Sequence, residues 1–229
     1  MTKENRAYTA AIRARIHDQA WIVPGLAALD ETMEQDGGHD YAHLTRVLVN
    51  AVRIAKGEVA HNPDLEVIAA AVTFHDVINL PKNSPDRHLA STKSAEFAVK
   101  ILEPYFSDER LAKIEEAIRT HSYSSGFQPE CIEAKIVTDA DRLESLGAFG
   151  IARTFYVSGV MGRSILDQSD PFAERRELDD LEFALDHFPA KLLKLRERMT
   201  TKTGREMAEQ RHRFLEVFLD QIRLEVQDE

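Results

Sequence analysis

Apolar side chains recur every three to four residues along most of this chain, and the two-residue alternation typical of strands is scarce. This spacing predicts an all-α fold. The stretch after Asp40 shows it most clearly, because Asp40 suits a helix N-cap and Gly57 suits a helix stop. Its apolar stripe consists of Leu44, Val47, Leu48, Ala51, Ile54 and Ala55.

The next helix is predicted over 65–78, behind Pro63 and Asp64. It is apolar nearly all round, which is typical of a helix at the centre of a core. Further helices are predicted from Ser84-Pro85, over 107–121, over 132–146, and as a charged amphipathic pair over 179–226 that breaks near 202–204. Loops are predicted at about 35–40, 79–86, 122–131 and 158–178. The last is long enough to cover a site or to form an interface.

Composition adds little to the fold but limits the partners. The 229 residues show no internal repeat and no shift in composition, which predicts a single all-α domain over 1–229. The 29 Lys and Arg residues against 39 Asp and Glu residues give a formal charge of −10. An acidic chain is a poor match for nucleic-acid polymers or anionic membranes. It can still bind a small phosphorylated molecule, provided that the site supplies its own positive charge.

The single cysteine, Cys131, leaves no partner for an internal disulfide, as is usual in a reducing compartment. Its place beside Ile132 indicates a small buried residue rather than a nucleophile. The first residues lack the apolar core of a signal peptide, and no stretch approaches the roughly 20 apolar residues of a membrane span. We therefore expect a cytoplasmic protein without a membrane partner.

Polar residues on apolar helical faces carry the candidate chemistry. His43 lies one turn before Val47, His75-Asp76 lies inside the most apolar helix, and Asp141 lies on the apolar stripe of its own helix. A buried carboxylate is costly unless it is paired or binds a metal. Two such carboxylates with two histidines suit a divalent transition metal, whereas a lone core histidine is usually only hydrogen-bonded.

The order His43, His75-Asp76, Asp141 on three predicted helices resembles the H…HD…D signature of HD-domain metal-dependent phosphohydrolases. The surrounding strings are similar to a compact, single-domain bacterial subgroup that includes nucleotide pyrophosphohydrolases: GHDYAHLTRV, FHDVINLPKN, KIVTDADRLESLGAFGIARTF, DPF and LDHFPAKLLKL. The resemblance covers nearly the whole chain. It implies a helical bundle of the HD-domain type with a metal-binding core at about 38–160, and with the N-terminal helices and the 179–226 helices packed around it.

The resemblance implies that His43, His75, Asp76 and Asp141 are the metal ligands. His39-Asp40 repeats the dipeptide but is better placed for capping. Asp139 is a weaker candidate ligand than Asp141, and it is expected either to be solvated or to hydrogen-bond a ligand without touching the metal. Some members of this family bind two metals through extra paired histidines between the HD pair and the last aspartate. Here only His88 and His121 occur in that interval and the paired pattern is not evident, so the resemblance implies one metal. Nitrogen and oxygen ligands admit Mn, Co, Ni, Zn or Fe, and Mg less readily.

Phosphate chemistry also needs local cations, because negative charge develops on the phosphoryl oxygens and the leaving group. Lys82 and Arg87 follow the HD pair, and Arg142 adjoins Asp141; each is a candidate phosphate contact or else a solvated or salt-bridged charge. His121 faces inward at a helix end, where it is either a general acid or phosphate contact or a helix C-cap. Asp76 is the other candidate catalytic residue. Glu144, one turn after Asp141, is either a surface residue, which is favoured, or one that orients a ligand or a water.

The leading hypothesis is a metal-dependent phosphohydrolase that converts nucleoside triphosphates to monophosphates and pyrophosphate with a metal-activated water. The nucleotide part of this hypothesis comes from the resemblance alone. One alternative is a phosphomonoesterase acting on nucleoside monophosphates or other small phosphates. A second is a module that binds metal and nucleotide without turnover, and a third is an interaction protein with a structural metal, although such sites are often rich in cysteine.

Overall fold

A computed structural model describes residues 2–33, 40–80, 86–122 and 125–226. The described chain is all-α, as predicted, with one isolated bridge between Ser164 and Phe183. Its α-helices are α1 (Lys3–Ile16), α2 (Ile22–Thr32), α3 (Tyr41–Gly57), α4 (Leu65–Phe74), α5 (Ala90–Leu102), α6 (Asp108–His121), α7 (Ile132–Arg142), α8 (Gly147–Val160), α9 (His187–Ala190) and α10 (Lys202–Val226). None of these helices is long and apolar enough to cross a membrane.

The chain divides into two compact units, Met1–Asp141 and Arg142–Glu229. The single domain expected over 1–229 stays a prediction.

The first unit is built around α4. Every residue of this helix from Val67 to Phe74 is buried, as its uniformly apolar sequence predicts. Helix α4 packs against α3 and α6, and α5 packs against α6 in turn. Helices α1 and α2 also contact α4, and the Tyr8 hydroxyl of α1 lies 3.1 Å from the Thr73 hydroxyl. The central helix is thus enclosed along its length by other helices of the same unit.

Two predicted helix starts and one predicted end are confirmed in this unit. Asp40 caps α3, which ends at Gly57, and Asp64 caps α4 by accepting hydrogen bonds from the backbone N–H groups of Glu66 and Val67. Helix α4 ends at Phe74 rather than at the predicted Ile78. The predicted start at Ser84-Pro85 lies outside the described residues, and a 3₁₀ turn, Arg87–Leu89, precedes α5.

The second unit differs most from the sequence prediction. The segment 179–226 does not form two amphipathic helices: its first part consists of α9 and short 3₁₀ turns, and one 25-residue helix, α10, begins at the predicted break. An aromatic cluster of Phe155, Phe188 and Phe218, with ring centroids about 6 Å apart, joins α8, α9 and α10. In the first part of the segment, before α10, packing of these rings and not a continuous helix sets the path of the chain.

The long segment after α8 is organised by buried aspartates. Asp170 accepts hydrogen bonds from the backbone N–H groups of Glu174, Arg175 and Arg176. Asp186 accepts hydrogen bonds from both terminal nitrogens of the Arg176 guanidinium. These carboxylates satisfy backbone and side-chain donors that an irregular segment would otherwise leave unpaired.

Candidate metal centre

His43 reaches the interior from the first turn of α3. The Asp40 carboxylate caps the helix by accepting a hydrogen bond of 2.7 Å from the backbone N–H of His43. This cap sets where the helix begins and therefore which way His43 points. The His43 side chain is buried, with 1% of its surface exposed.

His75 lies at the point where α4 ends. Its Nδ1 lies 2.8 Å from the carbonyl oxygen of Val72, which can only accept, so Nδ1 donates and Nε2 carries the lone pair. This hydrogen bond satisfies one of the carbonyls that a helix end leaves open. Burial lowers the pKa of His75 to about 4, so at neutral pH the imidazole is neutral, the form that binds metals.

His121 repeats this arrangement at the end of α6. Its Nδ1 donates to the carbonyl oxygen of Ile118 at 2.6 Å, and its Nε2 lies 3.2 Å from Oδ1 of Asp76. Burial lowers the pKa of His121, but the hydrogen bond and charge of Asp76 outweigh it, and the net direction is upward. One ring nitrogen therefore caps the helix, as the C-cap interpretation predicts, and the other faces Asp76. A role as general acid or phosphate contact stays a prediction.

Asp141 lies in the last turn of α7 and presents Oδ1 to two imidazoles. That oxygen is 3.6 Å from Nε2 of His43 and 3.8 Å from Nε2 of His75. Burial raises the pKa of Asp141, yet the neighbouring histidines lower it by more, and the net direction is downward. The carboxylate is thus held in its charged form among imidazole rings.

The structure brings together all four predicted ligands and His121. Two overlapping groups could each hold a metal ion, His43 with His75 and Asp141, and His75 with Asp76 and His121. Within each group the ligand atoms lie within 4.8 Å of one another.

The donor set fits a cation. Oδ2 of Asp76 lies 3.4 Å from Nε2 of His75, and a carboxylate oxygen facing an imidazole lone pair is repulsive unless positive charge lies between them. Nε2 of His43 is 3.3 Å from Nε2 of His75 and 3.9 Å from the same Asp76 oxygen. Ligand atoms bound to one ion at about 2.0–2.2 Å are themselves roughly 3–4 Å apart, so the spacing matches a shared ion.

Other candidate residues are placed elsewhere or differently. Lys82 and His39 lie outside the described residues, as does the side chain of Arg87. Arg142 is the first residue of the second unit, and its Nη1 donates a hydrogen bond to the backbone carbonyl of Arg198 in the same unit. Its role as a phosphate contact stays a prediction.

Two carboxylates of this region are more buried than the sequence indicated. Asp139 is fully buried, so its solvated alternative is wrong. Glu144, expected on the surface, is also buried, and lies 4.0 Å from Nη1 of Arg211. Helical spacing around α7 and the following 3₁₀ turn did not show that partners from elsewhere in the chain cover these residues.

Ser94 of α5 is a neighbour of the site that the sequence did not indicate. It is fully buried and hydrogen-bonds the backbone of Ile78, two residues after Asp76. A serine inside an apolar helical stripe is its only sequence signal.

Comparison with known proteins identifies the family of this chain. The HD domain family model matches residues 40–146, a range that includes the four predicted ligands. YpgQ of Bacillus subtilis is 32% identical over 197 residues, covering 84% of this chain and 87% of YpgQ. The match therefore extends well beyond the residues around the site.

Solved structures are similar over nearly the whole chain. The crystal structure of Bacillus subtilis YpgQ in complex with ADP is 28% identical, with a TM-score of 0.64, covering 97% of this chain and 96% of that one. An HD-superfamily hydrolase of Bacillus thuringiensis is 29% identical, with a TM-score of 0.64 and coverage of 97% and 98%. By its sequence, its fold and the residues gathered at the ends of α4 and α6, this chain belongs to the HD-domain superfamily of hydrolases.

Proposed function

We propose that this protein is a metal-dependent phosphohydrolase that acts on nucleotides and cleaves nucleoside triphosphates to monophosphates and pyrophosphate. The observation that carries the proposal is a cluster of three buried histidines, His43, His75 and His121, with the partly exposed Asp76 and Asp141, in which imidazole nitrogens and carboxylate oxygens converge. Such a mixed nitrogen and oxygen set is suited to a divalent transition metal.

His43, His75, Asp76 and Asp141 would hold one divalent ion, with Mn, Co, Ni, Zn or Fe preferred over Mg. When bound, the ion lowers the pKa of a water and polarises a phosphoryl oxygen. The neutral state of His75 supports its role as a ligand, because its lone pair already points into the cluster. Asp141 would contribute a charged oxygen, Oδ1, which lies within 4 Å of Nε2 of both His43 and His75.

The two oxygens of Asp76 would have separate tasks. Oδ2 faces His43 and His75 and serves as the ligand atom, while Oδ1 faces His121. His121, when protonated, donates from Nε2 to Oδ1 and holds the Asp76 carboxylate in one orientation. The raised pKa of His121 keeps a proton available at this position, as a general acid requires.

The nucleotide assignment is supported by the relative YpgQ, whose crystal structure is a complex with ADP. The protein carries a formal charge of −10, so triphosphate binding needs cations placed at the site. Lys82 and Arg87, which follow the HD pair in the chain, are proposed for this task, together with Arg142.

The test is turnover of a panel of nucleoside mono-, di- and triphosphates with Mn²⁺, with pyrophosphate and orthophosphate measured separately. We expect pyrophosphate and a monophosphate from the triphosphates. Orthophosphate released from monophosphates would instead support the phosphomonoesterase. Nucleotide binding without any metal-dependent product, across the whole panel, would contradict both enzymes and favour a binding module.

A further inference from the structure

The chain changes direction immediately after the HD pair. In a continued helix, the backbone N–H of Ile78 would donate to the carbonyl of Phe74. Instead the N–H of Val77 donates to that carbonyl at 3.2 Å, in a tighter turn, and Ile78 leaves the helical path. His75 and Asp76 therefore sit in a turn rather than within a regular helix, and their geometry needs other support.

One side chain of α5 satisfies both backbone groups of Ile78. The Ser94 hydroxyl accepts a hydrogen bond from the Ile78 N–H at 3.0 Å and donates to the Ile78 carbonyl at 3.3 Å. Ser94 is fully buried. Backbone groups at such a site are costly to leave unpaired, so the hydroxyl ties the chain after Asp76 to α5.

We infer that Ser94 is a positioning residue for the metal centre. The turn that carries His75 and Asp76 is held on one side by the His75 ring, which bonds the Val72 carbonyl, and on the other by Ser94. With both sides held, the ligand atoms of His75 and Asp76 keep their directions before any ion arrives. This inference rests on the proposed function, since it concerns the same metal ion.

Ser91 provides a matched control on the same helix. It lies one turn before Ser94, is 2% exposed, and within the described part of the chain its hydroxyl has no hydrogen-bond partner. Replacing either serine with alanine removes one buried oxygen from the same face of α5. Only the change at Ser94 removes hydrogen bonds to the turn that bears the ligands.

The experiment compares wild type, Ser94→Ala and Ser91→Ala by calorimetric titration of the metal-free protein with Mn²⁺ and by the visible absorption of the Co²⁺ form. We expect Ser94→Ala to weaken Mn²⁺ binding by about tenfold to a hundredfold, as is typical for residues that orient ligands, and to change the Co²⁺ spectrum. Ser91→Ala should bind Mn²⁺ within about threefold of wild type, because the Ser91 hydroxyl makes no hydrogen bond to the described residues of the turn.

Amide hydrogen exchange of the metal-free wild-type protein tests the same hydrogen bond without a variant. The Ile78 amide should exchange as slowly as the amides in the middle of α4, and fast exchange would overturn the inference even if Ser94→Ala failed to fold. Equal Mn²⁺ affinities and Co²⁺ spectra for the two alanine variants would also overturn it, while leaving the proposed function intact. If the wild-type protein bound no divalent metal, the proposed function would fall, and this inference with it.

Discussion

The two ends of helix α4 both carry acidic groups, but they neutralise them in different ways. At its N-terminal end, Asp64 and Glu66 face the guanidinium of Arg110. At its C-terminal end, His75 and Asp76 face other imidazoles and the carboxylate of Asp141. The N-terminal end is therefore neutralised by an arginine of the protein, Arg110 of α6, whereas the C-terminal end brings together ligand atoms that fit a metal cation.

Arg110 binds the N-terminal end with a fork of hydrogen bonds. Its Nε and one terminal nitrogen contact the two oxygens of Asp64 at 2.9 and 3.0 Å, and it also reaches Glu66 at 2.7 Å. Burial raises the pKa of Asp64, but the hydrogen bonds and charge of Arg110, together with the backbone N–H groups of Val67 and Glu66, outweigh burial and lower the pKa. Glu133 of α7 accepts from the Asp64 backbone N–H, which completes the network.

The way in which the acidic groups are neutralised distinguishes a structural charge cluster from a functional one. A bidentate arginine satisfies carboxylates fully and leaves no ligand atoms directed at a common point. Neutral imidazoles beside carboxylates present lone pairs and negative oxygens together, which is stable only with added positive charge. The same helix thus contributes to stability at one end and to proposed chemistry at the other.

The largest expected effect is the difference between one substitution, aspartate to asparagine, made at the two ends of α4. Asp76→Asn should lower kcat on the preferred nucleotide by on the order of a thousandfold, about 4 kcal/mol, because it removes a charged ligand. Its metal content, measured on purified protein by mass spectrometry, should fall with it. Asp64→Asn should keep both metal and kcat. If Asp76→Asn retained a full complement of metal and full activity, the assignment of the site would be wrong.

Arg110→Met should reverse the pattern. Removing the guanidinium leaves the Asp64 and Glu66 carboxylates without their cation, and because the Arg110 and Asp64 side chains are about one-third exposed the loss of stability should be about 1–2 kcal/mol. Urea unfolding measures this loss. The affinity for Mn²⁺ and kcat should stay near wild type, and a loss of metal binding in this variant would break the distinction between the two ends.

The pH dependence of stability should sharpen this result. Because the folded-state pKa of Asp64 is lowered, its ion pair stabilises the folded protein above the unfolded pKa of about 3.9 and loses that effect as the pH falls further. The difference in unfolding free energy between wild type and Arg110→Met should be constant from pH 7 to about 5 and narrow below about 4. A gap that stayed the same at pH 3 would show that packing, including the Arg110 contact with Phe106, dominates.

The smallest effect is expected at Cys131, near the N-terminal end of α4 and two residues before Glu133. Burial raises the pKa of the Cys131 thiol to about 12, so it is protonated at neutral pH and a poor nucleophile. Cys131→Ser should leave kcat within about twofold and keep an acceptor for the Ala134 backbone N–H, which the sulfur now accepts at 3.4 Å. A large loss of kcat in Cys131→Ser, with metal content unchanged, would indicate chemistry at this end.

Local signals in the sequence predicted the helices that carry His43 and His121. Asp40 and Gly57 bound α3, and the prediction from Ser107 to about His121 matches α6, because caps and helical periodicity act over a few residues. Periodicity failed at the end of α4, where the Ser94 side chain of α5 hydrogen-bonds the backbone of Ile78. It failed again over 179–198, where aromatic packing and arginine–aspartate pairs decide the path.

The sequence by itself determined the fold class, the family and the candidate ligands, because helical periodicity and the order of His43, His75-Asp76 and Asp141 are written in the chain. Only the tertiary structure decided the rest. It placed His121 against Asp76, buried Asp139 and paired Arg110 with Asp64. The two contacts join residues that are far apart in sequence, and the burial of Asp139 depends on packing. Spacing along a single helix carries no information about either.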